Sequence, residues 1–332
     1  MYGEKAISAV KDELTGLIDN LVGEPKRWED VPRRARKKVL PTKMILSEKI
    51  KEGILEKLKA QLVVLGNLQE SEGDESLRAP TPSITTVMVQ ASRAAAEGRT
   101  VVTFDVSQAF LNATIDDDTT FIRLPKRVAE ILVSIDEKYK EYIRPDGSIV
   151  MKLLKALYGL RKAPKLWRDT FRAVLIEEGY KESTVDECMY VKLYEDNTST
   201  DVSIFVDDGF LTTSNLVEAE NLITKLSVIF KLKVKRVPTH QFLGLLFEFN
   251  YVSGDVMITQ PDYVSKIIGE INYKVAETPH TAEPFNMDCN AQKLKEEEDG
   301  PEITDPIRQA ELLEERIKEI LLHFLEQGAF IG

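Results

Sequence analysis

Val202-Ser203-Ile204-Phe205-Val206-Asp207-Asp208 joins an apolar, β-branched run to two adjacent carboxylates. The run is typical of a buried strand, and residues 209–213 follow it as the return strand of a hairpin whose tip carries both aspartates. Like charges side by side at the end of a buried strand repel each other unless a cation neutralises them. The simpler alternative is an aspartate-rich turn between two strands.

A second strand, about a hundred residues earlier, also ends on a carboxylate. Residues 101–106, VVTFDV, form another β-branched run, and Asp105 lies at its end. Carboxylate oxygens are the ligands that hard divalent cations prefer. Asp105, Asp207 and Asp208 together therefore predict a divalent metal site.

The composition sets the class of protein. With 332 residues, of which 43% are hydrophobic and 30% charged, the chain has an ordinary globular composition and enough length for two or three subdomains. It contains no apolar run of about 18 residues and no signal-peptide pattern at its start, so we expect an intracellular protein without a membrane partner. The cysteines, Cys188 and Cys289, and the three histidines are isolated, which argues against a zinc site or a disulfide framework.

The net charge of -11 hides an uneven distribution. Basic residues dominate residues 25–63, which include RRARKK at 33–38, and residues 152–172, where Asp169 alone opposes them. Acidic residues gather instead near the end of the chain. A single basic run usually forms a solvated face, but two such runs favour a groove for a polyanion.

The order of predicted elements indicates the fold class. Helical periodicity covers residues 5–21, 84–97, 165–178, 216–230 and 309–326, and strand patterns cover 39–50, 58–65, 100–106, 120–124, 188–194, 202–206, 209–213, 242–249 and 256–260, with 152–158 extended. We therefore predict an α+β protein. The order β-α-β-β-α-β, with one carboxylate on the first strand and two on the central hairpin, describes a split β-α-β, ferredoxin-like sheet. Such a sheet is the architecture of a polymerase palm.

Three motifs carry a resemblance to a known family. FDVSQAFLN at 104–112, KALYGLRKAPKLW at 155–167 and FVDD at 205–208 resemble, in order and spacing, the central motifs of copia-type reverse transcriptases of LTR retrotransposons. Further matching segments are KLKAQLV at 57–63, DECMYV at 186–191, FLG at 242–244 and ITQPDY at 258–263. The resemblance runs from about residue 5 to 284. It implies a right-hand polymerase with a fingers-like region at 1–99, a palm at 100–250, and a primer-grip strand with a short helical, thumb-like or divergent tail at 251–332.

The resemblance also implies an activity. Proteins of this family are RNA-directed DNA polymerases, which add deoxynucleoside triphosphates to a primer 3'-hydroxyl on an RNA or DNA template. Asp105 and Asp207 match the two principal metal ligands, Asp208 matches the supporting acid, and the main-chain carbonyl of Val106 is implied as a further ligand. The implied metal is Mg²⁺, with Mn²⁺ as a substitute. The expected location is the cytoplasm, including virus-like particles, or the nucleus.

Other residues match the nucleotide pocket of the family. Phe110 matches the bulky residue under the sugar, which would exclude a ribose 2'-hydroxyl, and Tyr158 with Gly159 matches the segment that lines the pocket. The alternatives are a core phenylalanine and a turn that ends a strand. Trp167 is expected to be a core residue of the following helix. Residues 242–244 resemble the hairpin that grips the primer.

Lys57 and Lys59 are candidates for binding the triphosphate, because a cation there would stabilise negative charge in the transition state. Gln61 departs from the family pattern, since an arginine is common at that position and could hold phosphate through two hydrogen bonds. The other departures are Ala113, Lys162 and Phe205. These departures, and the lack of recognisable integrase or ribonuclease H sequence, leave open an alternative: a truncated or degenerate retroelement protein that binds nucleic acid without catalysis.

Overall fold

The structure is a computed structural model that describes residues 3–51, 54–69, 77 and 79–276. Two compact units divide the chain, Met1–Ser265 and Lys266–Gly332. In the second unit the described residues are the last turns of a helix that begins at Pro261. The predicted helix at 309–326 and Cys289 lie outside the described residues.

The described residues alternate short helices with strands. The helices are α1 Gly3–Asp19, α2 Arg33–Arg36, α3 Ile84–Ala96, α4 Lys126–Ile135, α5 Ala163–Glu177, α6 Leu216–Ile229 and α7 Pro261–Ala276. The strands are β1 Gly23–Lys26, β2 Leu40–Lys51, β3 Ile54–Val64, β4 Thr100–Val106, β5 Phe121–Leu124, β6 Ile149–Leu153, β7 Lys181–Glu182, β8 Met189–Leu193, β9 Ser199–Phe205, β10 Asp208–Thr213, β11 Leu232–Lys235, β12 Thr239–Phe242, β13 Leu245–Asn250 and β14 Asp255–Thr259. The predicted α+β class is confirmed.

A six-stranded antiparallel sheet positions the carboxylates. Its strand order is β11-β4-β10-β9-β8-β7, so that β10 lies between β4 and β9 and the chain crosses over through α5 and α6. This arrangement is the predicted split β-α-β sheet. The strand that closes it was predicted wrongly, however: it is β11, and not residues 242–249. β11 escaped prediction because it has four residues and alternates apolar side chains with lysines.

The apolar run at 242–249 forms two strands where one was predicted. β12 and β13 pair around a two-residue turn at Leu243 and Gly244, whose φ angles are 52° and 73°. Two consecutive positive φ angles suit a tight hairpin, because their twist matches that of the flanking strands. With β14 they make a separate three-stranded sheet.

A five-stranded sheet, β1-β6-β5-β2-β3, contains the long hairpin of β2 and β3. Here the sequence analysis missed β1 and helix α4, and it placed an extended segment at 152–158 where β6 covers Ile149–Leu153. Helix α1 lies against β3, and the Glu13 carboxylate accepts a hydrogen bond from Leu62 N at 2.9 Å. That bond occupies a main-chain N–H on an edge strand, which would otherwise be open to a further strand.

Side chains alternate across the six-stranded sheet and build two cores. Val102, Phe104 and Val106 pack with α5 and α6 on one face, while Val101 and Phe210 pack with α3 and the three-stranded sheet on the other. The buried face of α5 follows helical spacing through Trp167, Phe171 and Leu175. The strands β4 and β10 are thus covered on both faces.

A buried ion pair ties the far end of the central hairpin to the α3–β4 connection. The Arg99 guanidinium donates to Asp201 Oδ2 at 2.7 Å and to the Ser199 carbonyl at 2.7 Å, and the two charged side chains are 0% and 1% exposed. Gln90 of α3 adds a hydrogen bond to the Asp201 carbonyl at 3.1 Å.

No helix among the described residues is long and apolar enough to cross a membrane.

Candidate active site

The hairpin tip between β9 and β10 carries the paired aspartates. Phe205 and Asp208 are cross-strand partners, which leaves Val206 and Asp207 as a two-residue loop. The loop is attached on two sides: Trp167 Nε1 donates to the Val206 carbonyl at 2.5 Å, and Val106 N donates to the Asp207 carbonyl at 2.7 Å. The tip is therefore held beside the end of β4.

The structure brings the three predicted carboxylates together. Asp105 on β4 is directly opposite Asp208 on β10, and residues opposite each other in an antiparallel pair point to the same face. Asp207 follows on the adjoining turn. On the other side of β4, Lys233 of β11 is also opposite Asp105, and its Nζ lies 2.8 Å from Asp105 Oδ1. Sequence reasoning missed Lys233, because its partner lies 128 residues away and no local pattern joins them.

The three carboxylates repel one another, and their partial burial adds to the cost of their charge. Burial, together with the neighbouring Asp207 and Asp105, raises the pKa of Asp208 to about 6. Burial and Asp105 also raise the pKa of Asp207, although Lys59 and Lys233 oppose the shift. Each shift records a cost of holding negative charge at this place. A cation bound between the carboxylates would remove that cost.

The donor set fits a hard divalent cation in chemistry, since it offers carboxylate oxygens from Asp105, Asp207 and Asp208 and the main-chain carbonyl of Val106. It is not a closed cage. Within the described ranges, no group of three or more histidine, cysteine, aspartate or glutamate side chains is arranged to hold a metal ion. Asp105 is paired with Lys233 in this conformation. Metal ligation by these residues therefore stays a prediction.

Gly209 permits β10 to lie close to β4. A Cβ at this position would come within 2.1 Å of the Phe104 ring, which is itself 3% exposed and stacked on Phe171. We expect Gly209→Ala to destabilise the protein by about 3 kcal/mol, since overpacking of a buried site costs about 1–3 kcal/mol and the clash is severe. Equilibrium unfolding in urea measures this loss.

Gly16→Ala is the matched control, because its Cβ would meet only the flexible Gln108 side chain at 3.4 Å on a helix. We expect it to change stability by less than about 1 kcal/mol. Phe104→Ala should partly compensate Gly209→Ala, so the double variant should be more stable than the sum of the single losses predicts. Strict additivity of the two losses would contradict the proposed steric contact.

The predicted pocket residues Phe110 and Tyr158 are in contact. Their rings meet edge to face with centroids 4.9 Å apart, and Phe110 is 9% exposed. Burial raises the pKa of Tyr158 to about 12, and the nearby Asp207, Glu13 and Asp105 charges add to the rise. The two rings thus lie on the same side of the molecule as the carboxylates, and Phe110 is also part of the core, as the alternative interpretation required.

Gly159 and Gly66 lie back to back. Gly159 has φ +83°, and a Cβ there would lie 2.1 Å from the Val64 carbonyl oxygen, while a Cβ on Gly66 would lie 2.0 Å from the Gly159 carbonyl oxygen. Val64 N also donates to the Tyr158 carbonyl at 2.8 Å. Main chain contacts main chain here, which only glycine permits. The contact joins β3 to the segment that carries Tyr158.

The two predicted phosphate-binding lysines differ in their surroundings. Lys57 and Lys59 are both exposed and, two residues apart on β3, share one face of the strand. Lys59 lies near enough to Asp207 to lower its pKa. No contact of Lys57 with the carboxylates is seen in the described part of the chain. Gln61, on the same face, is half-buried.

Lys162, a departure from the family pattern, has a partner of its own. Its Nζ donates to Asp117 Oδ2 and to Thr120 Oγ1, the latter at 2.9 Å. Asp117 also accepts from Thr119 N at 2.8 Å and Thr120 N at 2.7 Å. Burial alone would raise the pKa of Asp117, but these hydrogen bonds outweigh it and hold the pKa well below its usual range. Lys162 thus anchors the loop before β5 to the start of α5.

Trp167 is a core residue as predicted, with 1% exposure, but its indole N–H also donates to the hairpin that carries Asp207, through the Val206 carbonyl. A tryptophan at a buried helical position gives no sign in the sequence of where its N–H points.

The predicted primer-gripping segment forms the tip of the β12–β13 hairpin.

The split β-α-β sheet with three acids at one end is the fold of a nucleic acid polymerase. The profile of the reverse transcriptase (RNA-dependent DNA polymerase) family matches residues 25–284. The chain therefore belongs to that family, and its relatives are transposon proteins of the copia type.

Three relatives illustrate the similarity. The retrovirus-related Pol polyprotein from transposon RE1 of Arabidopsis thaliana is 26% identical over 309 residues, 91% of this chain. The Pol polyprotein from transposon TNT 1-94 of Nicotiana tabacum is 27% identical over 228 residues, 68% of this chain. The Transposon Ty1-NL1 Gag-Pol polyprotein of Saccharomyces cerevisiae is 25% identical over 233 residues, 70% of this chain. The matched part spans only 19%, 16% and 12% of these relatives.

A solved telomerase structure from Candida tropicalis covers 76% of the chain and is itself covered to 60%, with 12% sequence identity and a TM-score of 0.39.

Proposed function

We propose that this chain is the catalytic part of an RNA-directed DNA polymerase, which extends a primer on an RNA or DNA template with deoxynucleoside triphosphates. The observation that carries the proposal is the alignment of Asp105 with Asp208 across β4 and β10, with Asp207 on the adjoining turn. Family membership over residues 25–284 supports it.

Asp105, Asp207 and the Val106 carbonyl would hold the divalent ions, and Asp208 would support them. Mg²⁺ or Mn²⁺, when bound, supplies positive charge that stabilises the attacking and leaving oxygens of nucleotidyl transfer. The raised pKa values of Asp207 and Asp208 support this assignment, since like charges in a partly buried site favour a bound cation.

The remaining pocket residues would orient the nucleotide. Lys59, which lies near Asp207, and Lys57 would bind the triphosphate as cations on the exposed face of β3. The Phe110 ring would lie under the sugar and exclude a 2'-hydroxyl, with Tyr158 packed against its edge. Gly159 would line the pocket through its main chain, and its missing side chain makes room for β3.

The regions of the right-hand polymerase follow the same proposal. Residues 1–99 would contribute the fingers, with β5 and β6 completing their five-stranded sheet. Residues 100–250 would form the palm, and residues 251–332 would supply a primer-grip strand and a thumb-like tail. The β12–β13 turn at Leu243 and Gly244 would contact the primer backbone.

Primer extension on an RNA template tests the function. The purified chain should add deoxynucleotides to an annealed DNA primer with Mg²⁺ or Mn²⁺ and should stop when EDTA is added. Adding deoxynucleotides singly and comparing them with ribonucleotides tests the role of Phe110. If the chain binds the primer and template but adds nothing with either metal, the enzyme is ruled out and binding without catalysis is the function.

Binding of a primer–template duplex should weaken steeply with salt. The basic segments at 25–63 and 152–172 would contact phosphates and release their counterions, so affinity should fall about 100-fold from about 50 to about 200 mM salt if about four phosphates are contacted. Fluorescence anisotropy with a labelled duplex measures the slope.

Exposed residues at the two ends of α2 provide the variants for this measurement. Replacing both Arg33 and Lys37 by Gln should reduce the magnitude of the logarithmic slope by about two, whereas Lys181→Gln, an exposed lysine on β7, should leave it unchanged. A salt-independent affinity would contradict the proposed groove.

A further inference from the structure

The turn that carries Asp207 contains a strained residue. Val206 has φ 52°, in the left-handed region, where a β-branched side chain is a steric outlier. Glycine is the usual residue at such a position in a two-residue hairpin loop. Strain of this kind persists only when surrounding groups hold the backbone in place.

Trp167 is the side chain that holds this backbone. Its Nε1 donates a 2.5 Å hydrogen bond to the carbonyl of Val206, the strained residue itself. The indole cannot turn away, because it packs against Phe171 and Phe230 with ring centroids 5.4 and 5.2 Å apart. The donor therefore has a fixed direction and a buried position.

On the side of the turn that faces Trp167, side-chain packing is incomplete. A cavity of about 110 Å³ lies there, and both Trp167 and Val206 line it, together with Ile204, Tyr190 and Phe171. Open space beside a strained turn leaves room for the turn to relax. The Trp167 hydrogen bond therefore holds Val206 on the cavity side of the turn, while the bond from Val106 N holds the Asp207 carbonyl on the side of β4.

We propose that Trp167 is a positioning residue: its N–H keeps the Val206 backbone in the left-handed conformation and so places Asp207 and Asp208 relative to Asp105. The proposal rests on the proposed polymerase function, and Trp167 acts through the turn without touching substrate. A displacement of a reacting group by about 1 Å can cost about 100-fold in rate. The effect of losing the N–H should therefore appear in kcat and not in nucleotide binding.

Two substitutions remove the donor while retaining a ring. Trp167→Phe keeps an aromatic side chain against Phe171 and Phe230, and benzothienylalanine at position 167 keeps the bicyclic shape and removes only the N–H. We expect kcat for primer extension to fall about 100-fold, with the KM for the nucleotide changed less than about threefold. Hydrogen–deuterium exchange of peptides spanning 203–210 should rise in both.

Leu175→Ala is the matched control, because it loosens the buried face of the same helix two turns from Trp167 and leaves the indole with both of its aromatic neighbours. It should retain kcat and the slow exchange at 203–210. If Trp167→Phe and Leu175→Ala lose kcat equally at equal loss of melting temperature, Trp167 is a packing residue and the proposal is wrong. The benzothienyl variant decides the question should Trp167→Phe fail to fold.

Rescue provides an independent outcome. The double variant with Val206→Gly added to Trp167→Phe should have a kcat at least about tenfold higher than Trp167→Phe alone, because glycine adopts a positive φ without strain. No recovery would show that the hydrogen bond does not act through the strained backbone. If the wild-type chain proves inactive, the proposed function fails, but the exchange measurement still tests whether Trp167 fixes the turn.

Discussion

Asp207→Asn should lower the rate of nucleotide addition by at least about 1000-fold while the chain still folds and binds primer and template. Asparagine has the shape of aspartate but no charge, so it removes a carboxylate from the proposed cation site. Losing several kcal/mol of transition-state stabilisation corresponds to a rate loss of this size. Single-turnover extension of a labelled primer measures the rate, and anisotropy measures binding.

The stability of the variant separates a catalytic role from a structural one. Asp207 and Asp208 are partly buried beside Asp105, and the three charges repel one another. We therefore expect Asp207→Asn to leave the melting temperature of the metal-free chain unchanged or higher. Asp255→Asn, an exposed aspartate on β14, is the control that should keep full activity. If Asp207→Asn kept more than a tenth of normal activity, Asp207 would not be an essential ligand of the proposed cation site.

Asp201→Ala should cost about 3 kcal/mol of folding free energy, since removing the hydrogen-bonded partner of a buried ion pair leaves a buried charge poorly compensated. Arg99 would remain with its side chain 0% exposed, with hydrogen bonds to uncharged groups on β9 and β10, and with the half-exposed Glu97 carboxylate at 3.9 Å. Denaturant unfolding at pH 7 measures the loss. Since Asp201 lies on β9, the strand that leads to Asp207, we also expect the hairpin to exchange its amide hydrogens faster.

An exposed pair with equally good geometry provides the comparison. Arg236 contacts Glu220 through two hydrogen bonds of 2.7 Å, but the two side chains are 44% and 41% exposed. Glu220→Ala should therefore cost less than about 1 kcal/mol, because water screens the pair. Similar losses for Asp201→Ala and Glu220→Ala would contradict burial as the source of the effect.

Local patterns predicted most of the fold. The β-branched run of β4 was assigned to residues 100–106, which are the observed limits, and the hairpin with Asp207 at its tip followed from two apolar runs around two acids. Failures came where the pattern was short or continuous. β11 has four residues with two lysines, and the β12–β13 turn interrupts an apolar run through Leu243, whose positive φ no propensity indicates.

The candidate site was predictable only as far as individual motifs extend. Asp105, Asp207 and Asp208 could be named because each lies next to an apolar, β-branched run, and the sheet then brings Asp105 opposite Asp208 with Asp207 on the adjoining turn. Lys233 and the N–H of Trp167 could not, since each reaches the site through a contact made across the fold. The sequence analysis interpreted Lys162 as a sign of weakened function, but the structure shows that it forms an ion pair with Asp117. The two residues are 45 positions apart, so no local sequence pattern predicts the pair.

The contact of Gly66 with Gly159 restricts how this sequence can evolve. A methyl group on either residue would overlap a carbonyl oxygen of the facing main chain, and no rearrangement of side chains could absorb it. A substitution at one glycine therefore cannot make a larger residue acceptable at the other. Drift should accumulate around both glycines and leave them as a fixed pair, which makes them a sensitive indicator of whether related copies still encode a foldable enzyme.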